Sequence, residues 1–442
     1  MKVASSSNLK IAAWPLKRIL ANPAAFQKSV DLRQCKLYKS YSIADLVELH
    51  DQLQAAKHTR QLAATERNRL LKQVKGSIST KDSLQGELLT QSKALKEKMA
   101  VVDEQVSALE SEFNLLLDTV PNLIEPSAAR IDGEFEQLKI LNERPISADQ
   151  SRDHVTIGSK LGLLDIASAS RVSGHGSYYL TGDGALLEQA LVQYALKKCR
   201  DAGFTMVSPP SLVRQEFTNA CGFKPRDSNN EVQVYSVYGG GGPNADPMCL
   251  AGTAEIPLAG LEAHKTIDFR GLTTLRKAGV SRSFRAEAGA RGADTRGLYR
   301  VHEFTKVEMF VWCRPDIEAS QEAIQNLLSI QQSIVNDLEL TARVINIGPT
   351  DLGAPAYQKY DIEAWMPGRG SWGEISSTSN CLDFQSRRLH TKDTNGEFVH
   401  TLNGTALAVP RVIVALIENG WDGKGVRVPK ALHNWMPEYI SL

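Results

Sequence analysis

Between residues 284 and 310 two arginines, two glutamates, a histidine, a lysine and a phenylalanine recur at alternate positions. The run reads as strand, Gly-rich loop, strand. In the first strand Arg285 and Glu287 are two apart, so both side chains leave one face. In the second, Arg300, His302, Phe304, Lys306 and Glu308 share a face, and Val301, Thr305, Val307 and Met309 point the other way. Buried faces rarely collect so much paired charge around an aromatic ring. An arginine fork meets two oxygens of a phosphate or carboxylate at once. Phe304 offers a flat apolar surface to a planar base, Glu287 can accept from an exocyclic amine, and Glu308 can hold an ammonium group. Such a face suits a nucleotide and an amino acid side by side. The alternative is a half-exposed hairpin stitched by salt bridges.

Three more segments carry chemistry. Leu250-Ala-Gly-Thr-Ala-Glu-Ile-Pro257 sets a hydroxyl and a carboxylate, Thr253 and Glu255, in a turn-prone run. Gly373-Glu-Ile-Ser-Ser377 carries Glu374 and Ser377, oxygen ligands of the kind Mg²⁺ accepts alongside phosphate. The segment 401–420 reads as a strand feeding a helix, with Pro410 and Arg411 in its first turn and Gly420 as its C-terminal cap. Taken singly, each has a bland reading as a turn, a polar strand or a buried helix. Their order along one chain is harder to explain that way.

In that order they resemble the seryl-tRNA synthetases of class II, from about Tyr41 to the C-terminus. Residues 284–287 with 300–308 look like the second class-defining motif, and 405–411 like the third. The family's serine-binding loop is similar to Thr253-Ala-Glu255, and its metal strand to Gly373–Ser377. Gln385-Ser-Arg-Arg-Leu389 and Thr119-Val-Pro-Asn-Leu123 are family-like as well. The resemblance implies that Arg285 holds the α-phosphate of ATP and the serine carboxylate, and Arg411 the γ-phosphate. It places adenine against Phe304 with Glu287 and Val301 beside it, and Mg²⁺ on Glu374 and Ser377. Thr253, Glu255, Glu308, Asn403 and Thr405 would enclose serine. Glu303 stands where the family usually has glutamine, and Pro410 where many members have glycine. Alternation turns Glu303 away from Phe304 and Glu308, which points to packing more than chemistry. A non-catalytic relative and a class II enzyme for another amino acid stay open at this point. All four of Arg285, Glu308, Glu374 and Arg411 are present, which speaks against the first. The Thr253–Glu255 loop speaks against the second.

The elements that must position these residues follow from periodicity. Residues 43–75 are polar and helix-favouring, and a break follows at 76–80, where Ser79 or Thr80 could cap the next helix. That next helix carries Leu95, Met99, Val102, Val106, Leu109, Phe113 and Leu116 at alternating four- and three-residue spacings, a heptad seam. Two long helices joined by a short break should fold back on each other. Near the tip stand Lys57, Arg60, Arg67, Arg69, Lys72, Lys75 and Lys81, with only Glu66 opposing them before Asp82. A charge run is usually a solvated helix face; by resemblance this one would grip the body of a serine tRNA. Further on, residues 186–196 have a helical apolar period and 203–210 read as a strand ended by proline, similar to the first class II motif and its dimer interface. The expected architecture is α+β: an antiparallel helical coiled-coil arm, then a catalytic domain on an antiparallel sheet flanked by helices. The expected divisions are 1–30 for a presequence, 31–120 for the arm and 121–442 for the catalytic domain.

Composition sets the remaining bounds. The chain has 442 residues and a formal net charge of +1, which argues against general nucleic-acid stickiness. Its six cysteines show no close pairing, as suits reduced thiols, and no Cys/His cluster suggests structural zinc. No apolar run is long enough to span a bilayer. Gly239–Gly242 lacks the lysine and hydroxyl of a P-loop and reads as a flexible insertion. The first thirty residues hold Lys2, Lys10, Lys17, Arg18 and Lys28 and no acid, with leucines, isoleucines and serines interspersed. That is the make-up of a mitochondrial presequence, or of a basic tail. Met366-Pro-Gly-Arg-Gly370 and Ala408-Val-Pro-Arg411 look closer to animal mitochondrial members than to bacterial or cytosolic ones, so the expected address is the mitochondrial matrix. The expected partners are ATP, L-serine, tRNA(Ser) and a second copy of the chain.

Overall fold

The computed structural model describes residues 16–76, 82–144, 146–223, 231–238, 247–287 and 297–442. It divides into two compact units, residues 14–121 and residues 122–442.

The first unit is helical. Helices α1 (Leu16–Ala21) and α2 (Pro23–Leu32) precede the long α3 (Ile43–Gly76) and α4 (Asp82–Thr119). Asn22 caps α2, accepting from the Ala25 amide at 3.4 Å, and Pro23 occupies the first turn, where its missing N–H costs nothing. At the start of α3, Ser42 and Asp45 close a reciprocal box. The Asp45 amide donates to Ser42 Oγ at 3.2 Å, and the Ser42 amide donates to Asp45 Oδ2 at 2.7 Å. Along α4 the heptad positions Val102, Val106, Phe113 and Leu116 are buried, and Leu95, Met99 and Leu109 half-buried. They close against α3, which contributes Leu46, Leu53, Ala56, Ala63 and Leu70. The proposed caps Ser79 and Thr80 lie outside the described residues.

The second half of the segment read as a presequence is structured. Ile19, Phe26 and Val30 are buried, and Gln27 Oε1 accepts from the Ile43 amide at 2.7 Å, tying α2 to the start of α3. Of the basic residues that suggested a leader, Lys17 and Arg18 stand on α1 and Lys28 on α2, with Lys17 and Lys28 exposed; Lys2 and Lys10 lie outside the described residues. Composition alone does not separate a leader from such helices.

The second unit is built on an eight-stranded sheet. In chain order its strands are β1 (Phe135–Leu141), β2 (Thr205–Val207), β3 (Thr274–Phe284), β4 (Glu303–Cys313), β5 (Ala342–Ile347), β6 (Gln358–Met366), β7 (Ser371–Asn380) and β8 (His400–Ala408). Their spatial order is β1-β5-β6-β7-β8-β4-β3-β2, antiparallel except for the β2–β3 pair. Helices α5 (Asp183–Asp201), α7 (Ile317–Asp337) and α9 (Val409–Gly420) pack beneath it; α6 (Glu255–Gly260) and α8 (Phe384–Leu389) border the other face. Val307, Met309, Val311 and Cys313 of β4 join the core under the sheet. Phe310 and Trp312 join a second cluster at the far end of the upper face.

Two bulges shape that upper face. Ile362 pairs with Ser376 but Glu363 pairs with Glu374, so Ile375 is an extra residue in β7. Val307 pairs with Leu407 but Glu308 pairs with Thr405, which makes Ala406 extra in β8. Strict alternation would send Glu374 and Ser377 to opposite faces. The bulge brings them to one.

Candidate active site

Arg285 and Glu287 lie just beyond the end of β3, not within it. Glu287 adopts a left-handed backbone, φ 47°, which swings its carboxylate to Arg300 Nη1 at 2.7 Å. Likewise β4 begins at Glu303, so Arg300, Val301 and His302 belong to the loop. The single-face reading therefore holds for Phe304, Lys306 and Glu308 and fails for His302. His302 Nδ1 instead lies 3.1 Å from the Arg285 carbonyl, and its ring faces Tyr235 at 6.2 Å. Arg300 still reaches the site through the loop. Glu303 turns outward and pairs with Arg282 at 2.8 Å, as alternation predicts.

Arg285, Glu287, Arg300, Val301, Phe304 and Lys306 line a cleft, together with Tyr299, Glu374, Ser377, Thr405 and Arg411. Arg411 enters from the first turn of α9, whose Pro410 fits the N-terminal position. Its Nη1 lies 3.2 Å from the Glu374 carboxylate, and its Nε donates to the Tyr299 carbonyl at 3.2 Å. Burial would raise the Glu374 carboxyl, but Arg411, Lys359 and Arg285 outweigh it and hold the group well below the ordinary range. Burial and the neighbouring Arg411 lower Arg285. The Arg285 guanidinium lies 5.3 Å from the centre of the Phe304 ring, so that ring already supports one planar group.

A buried polar cluster adjoins the cleft and shares Lys306 and Thr405 with its lining. Lys306 Nζ sits 2.6 Å from Glu308 Oε2, and Thr405 Oγ1 donates to that oxygen at 3.3 Å. Glu255 Oε1 accepts from Gln385 Nε2 at 2.6 Å and from Asn403 Nδ2 at 2.9 Å. Thr253 Oγ1 accepts from the Glu255 amide at 3.2 Å in the turn that opens α6. Burial, and then the charge of Glu308, push Glu255 up to about 7. Two buried acids, close enough for Glu308 to raise Glu255, with Lys306 paired to Glu308, suit a small cation.

Three contributors were not among the expected site residues. Lys306 and Tyr299 line the cleft, and Gln385 orients Glu255. Lys306 was visible from alternation; Gln385 and Tyr299 required the fold. A further pair stands across from Ser377, where Lys359 Nζ meets Asp361 Oδ2 at 2.7 Å. Burial raises Asp361 although Lys359 opposes it.

The basic cluster of the arm is partly engaged within the arm. Lys57 pairs with Glu110 at 2.7 Å, Arg60 with Asp103 at 2.5 Å, and Arg69 with Glu66 at 2.6 Å. Counting only neighbours in sequence missed the acids that α4 supplies across the hairpin. Arg67 Nε finds no acceptor among the described residues, and Lys72 is exposed. Lys81 and the side chain of Lys75 lie outside the described residues, as do 239–246 of the Gly-rich insertion.

A mostly antiparallel sheet carrying an arginine from the loop after one strand and another from a buried helix defines a class II aminoacyl-tRNA synthetase core. Residues 241–420 match the tRNA synthetase class II core domain (G, H, P, S and T), and residues 15–124 match the seryl-tRNA synthetase N-terminal domain. The mitochondrial serine–tRNA ligase of Saccharomyces cerevisiae is 49% identical over 354 residues, 78% of this chain and 77% of that protein. Its counterpart in Schizosaccharomyces pombe is 41% identical over 355 residues, 78% of this chain and 73% of that one. Among solved structures, seryl-tRNA synthetase from Pyrococcus horikoshii complexed with ATP superposes with a TM-score of 0.79 at 31% identity. That superposition covers 96% of this chain and 99% of the other. The chain belongs to the seryl-tRNA synthetase family. The mitochondrial relatives just named are fungal, whereas two short motifs had suggested an animal type.

Proposed function

We propose that this chain activates serine with ATP in the mitochondrial matrix and passes the seryl group to the 3′ end of tRNA(Ser), working as a homodimer. The observation that carries the reading is the junction of two subsites. A cleft walled by Arg285, Glu374 and Arg411 shares Lys306 and Thr405 with the buried cluster of Glu255 and Glu308. A nucleotide in the first and an amino acid in the second bring a carboxylate beside an α-phosphate.

In the first step a serine carboxylate oxygen attacks the α-phosphorus, the bond from that phosphorus to the α,β-bridging oxygen breaks, and pyrophosphate leaves with the electron pair. No proton need move. Catalysis is then positioning and charge neutralisation. Arg285 spans the α-phosphate and the serine carboxylate, Arg411 takes the γ-phosphate, and Phe304 with Glu287 and Val301 seats adenine. Glu374 and Ser377, an all-oxygen pair set on one face by the bulge at Ile375, fit a hard cation and would hold Mg²⁺. Bound there, the ion would neutralise phosphate charge. Glu255 and Glu308 would hold the serine ammonium, while Thr253, Asn403 and Thr405 surround the side-chain hydroxyl. The arm, residues 31–120, would contact tRNA through Lys57, Arg60, Arg67, Arg69, Lys72, Lys75 and Lys81, and residues 121–442 would form the catalytic domain. A cleavable leader would lie within residues 1–30, and the burial of Ile19, Phe26 and Val30 favours a cleavage point ahead of α1.

The test is amino-acid-dependent ATP–pyrophosphate exchange with serine, threonine, alanine and glycine. Serine should support exchange. Alanine should fall short by about 10⁴-fold or more, because the polar groups around the missing hydroxyl are left unpaired. Equal exchange with all four, or none with serine, would sink the reading.

A further inference from the structure

Outside the cleft, Asp153, His154 and Glu418 form a trio of ligand-type side chains within 4.8 Å of one another. It is not a vacant metal site, because both imidazole nitrogens are taken. His154 Nδ1 donates to Glu418 Oε1 at 2.8 Å, and His154 Nε2 accepts from the Leu298 amide at 3.2 Å. That pair of bonds fixes the neutral tautomer with its proton on Nδ1. The second oxygen of Glu418 accepts from the amides of Gly368 at 2.8 Å and Arg369 at 3.2 Å. The side chains are 7% and 1% exposed, so each bond is made away from water, where losing one is costly.

The bonds end on the groups that flank Tyr299. Leu298 precedes it in the chain. Its ring lies between two guanidinium groups, Arg369 at 4.0 Å and Arg411 at 4.7 Å, and its carbonyl accepts from Arg411 Nε. Arg411 and Glu418 stand on the same helix, two turns apart. Gly297, with φ +76°, sits so close to the imidazole that a Cβ there would collide with His154 Nε2.

We propose that His154 is a positioning residue for ATP. Oriented by Glu418, it pins the Leu298 amide and thereby sets the Tyr299 carbonyl and ring that aim Arg411 into the cleft. Glu418 aligns the Arg369 side of the same sandwich. The inference rests on the assignment of that cleft to ATP.

The test compares His154→Ala, His154→Asn and His154→Gln. Asparagine can keep a donor near the Nδ1 position, facing Glu418. Glutamine can place an acceptor near the Nε2 position, facing Leu298. The parent chain's exchange rate reports on the catalytic assignment; the ratios among variants report on His154. The same series is also run as equilibrium binding of Mg·ATP, which needs no catalysis. The alanine and asparagine variants should raise the KM and Kd for ATP about tenfold, the scale of one orphaned buried amide. Glutamine should return to within about threefold of the parent, with the KM for serine unchanged throughout. Should alanine fail to fold, the asparagine–glutamine comparison still decides. Equal ATP affinity in those two variants, or a parallel rise in the KM for serine, would overturn the proposal.

Discussion

At the scale of single residues, Glu255 has the most consequential environment. Its carboxyl ordinarily titrates near 4.5 and is pushed up to about 7, by burial first and by Glu308 second. Between those two values the folded chain holds a proton that the unfolded chain has released. Stability from this group therefore falls as pH rises through that window, with a slope of at most about 1.4 kcal/mol per pH unit. Glu255→Gln should remove that component from urea midpoints measured between about pH 4.5 and 7. A serine ammonium beside the carboxylate would draw its proton off, so serine binding at about pH 6 should release close to one proton. Calorimetry in two buffers of different ionisation enthalpy measures that release. An unchanged pH slope in the variant, with no proton released on binding, would rule out this account. The identity of the acid was readable from the Thr253–Glu255 turn. Its elevated pKa was not, because Glu308 lies 53 positions further on and approaches only when the sheet forms.

At the scale of elements, alternation placed Phe304, Lys306 and Glu308 correctly and misplaced what lay beyond the strand ends. Arg285, Glu287 and Arg300 still converge, because a left-handed residue and a loop do what a longer strand would have done. The bulges at Ile375 and Ala406 left no mark that a single sequence reveals, since neither residue is a glycine or a proline. Gly420 illustrates the same gap. It was read as a left-handed cap, yet it is the last helical residue of α9, and the Trp421 that follows is extended. Its reason is contact: a Cβ there would meet the Arg427 carbonyl oxygen at 2.7 Å. Gly420→Ala should therefore lower stability by about 1–3 kcal/mol, as overpacking does. Gly420→Asn should be at least as harmful, whereas a true left-handed cap accepts asparagine. Urea denaturation of the two variants tells the cases apart. Tolerance of asparagine would restore the cap.

At the scale of the whole molecule, the proposed function divides its labour between two separately built units. The cleft proposed for ATP and the buried acids proposed for serine belong wholly to residues 122–442, while the basic residues proposed for RNA belong to residues 14–121. Adenylation should then survive damage to the hairpin, and tRNA charging should not. Within the arm the internal ion pairs rank the basic side chains. Lys57 and Arg60 already face Glu110 and Asp103, so a phosphate must compete with a carboxylate for each. Arg67 and Lys72, nearer the break between the helices, meet no such acid in the described arm. Replacing both Arg67 and Lys72 with alanine should weaken tRNA binding and flatten its dependence on log salt by up to about two units of slope. Replacing Lys57 and Arg60 should change the slope less. Serine-dependent pyrophosphate exchange should stay within about twofold of the parent in both double variants, because every residue proposed to hold ATP belongs to the other unit. Filter binding over a salt series, with exchange measured on the same preparations, gives both numbers. A larger slope change from Lys57 and Arg60 would mean that their carboxylate partners release them to RNA, and the ranking by internal pairing would fail.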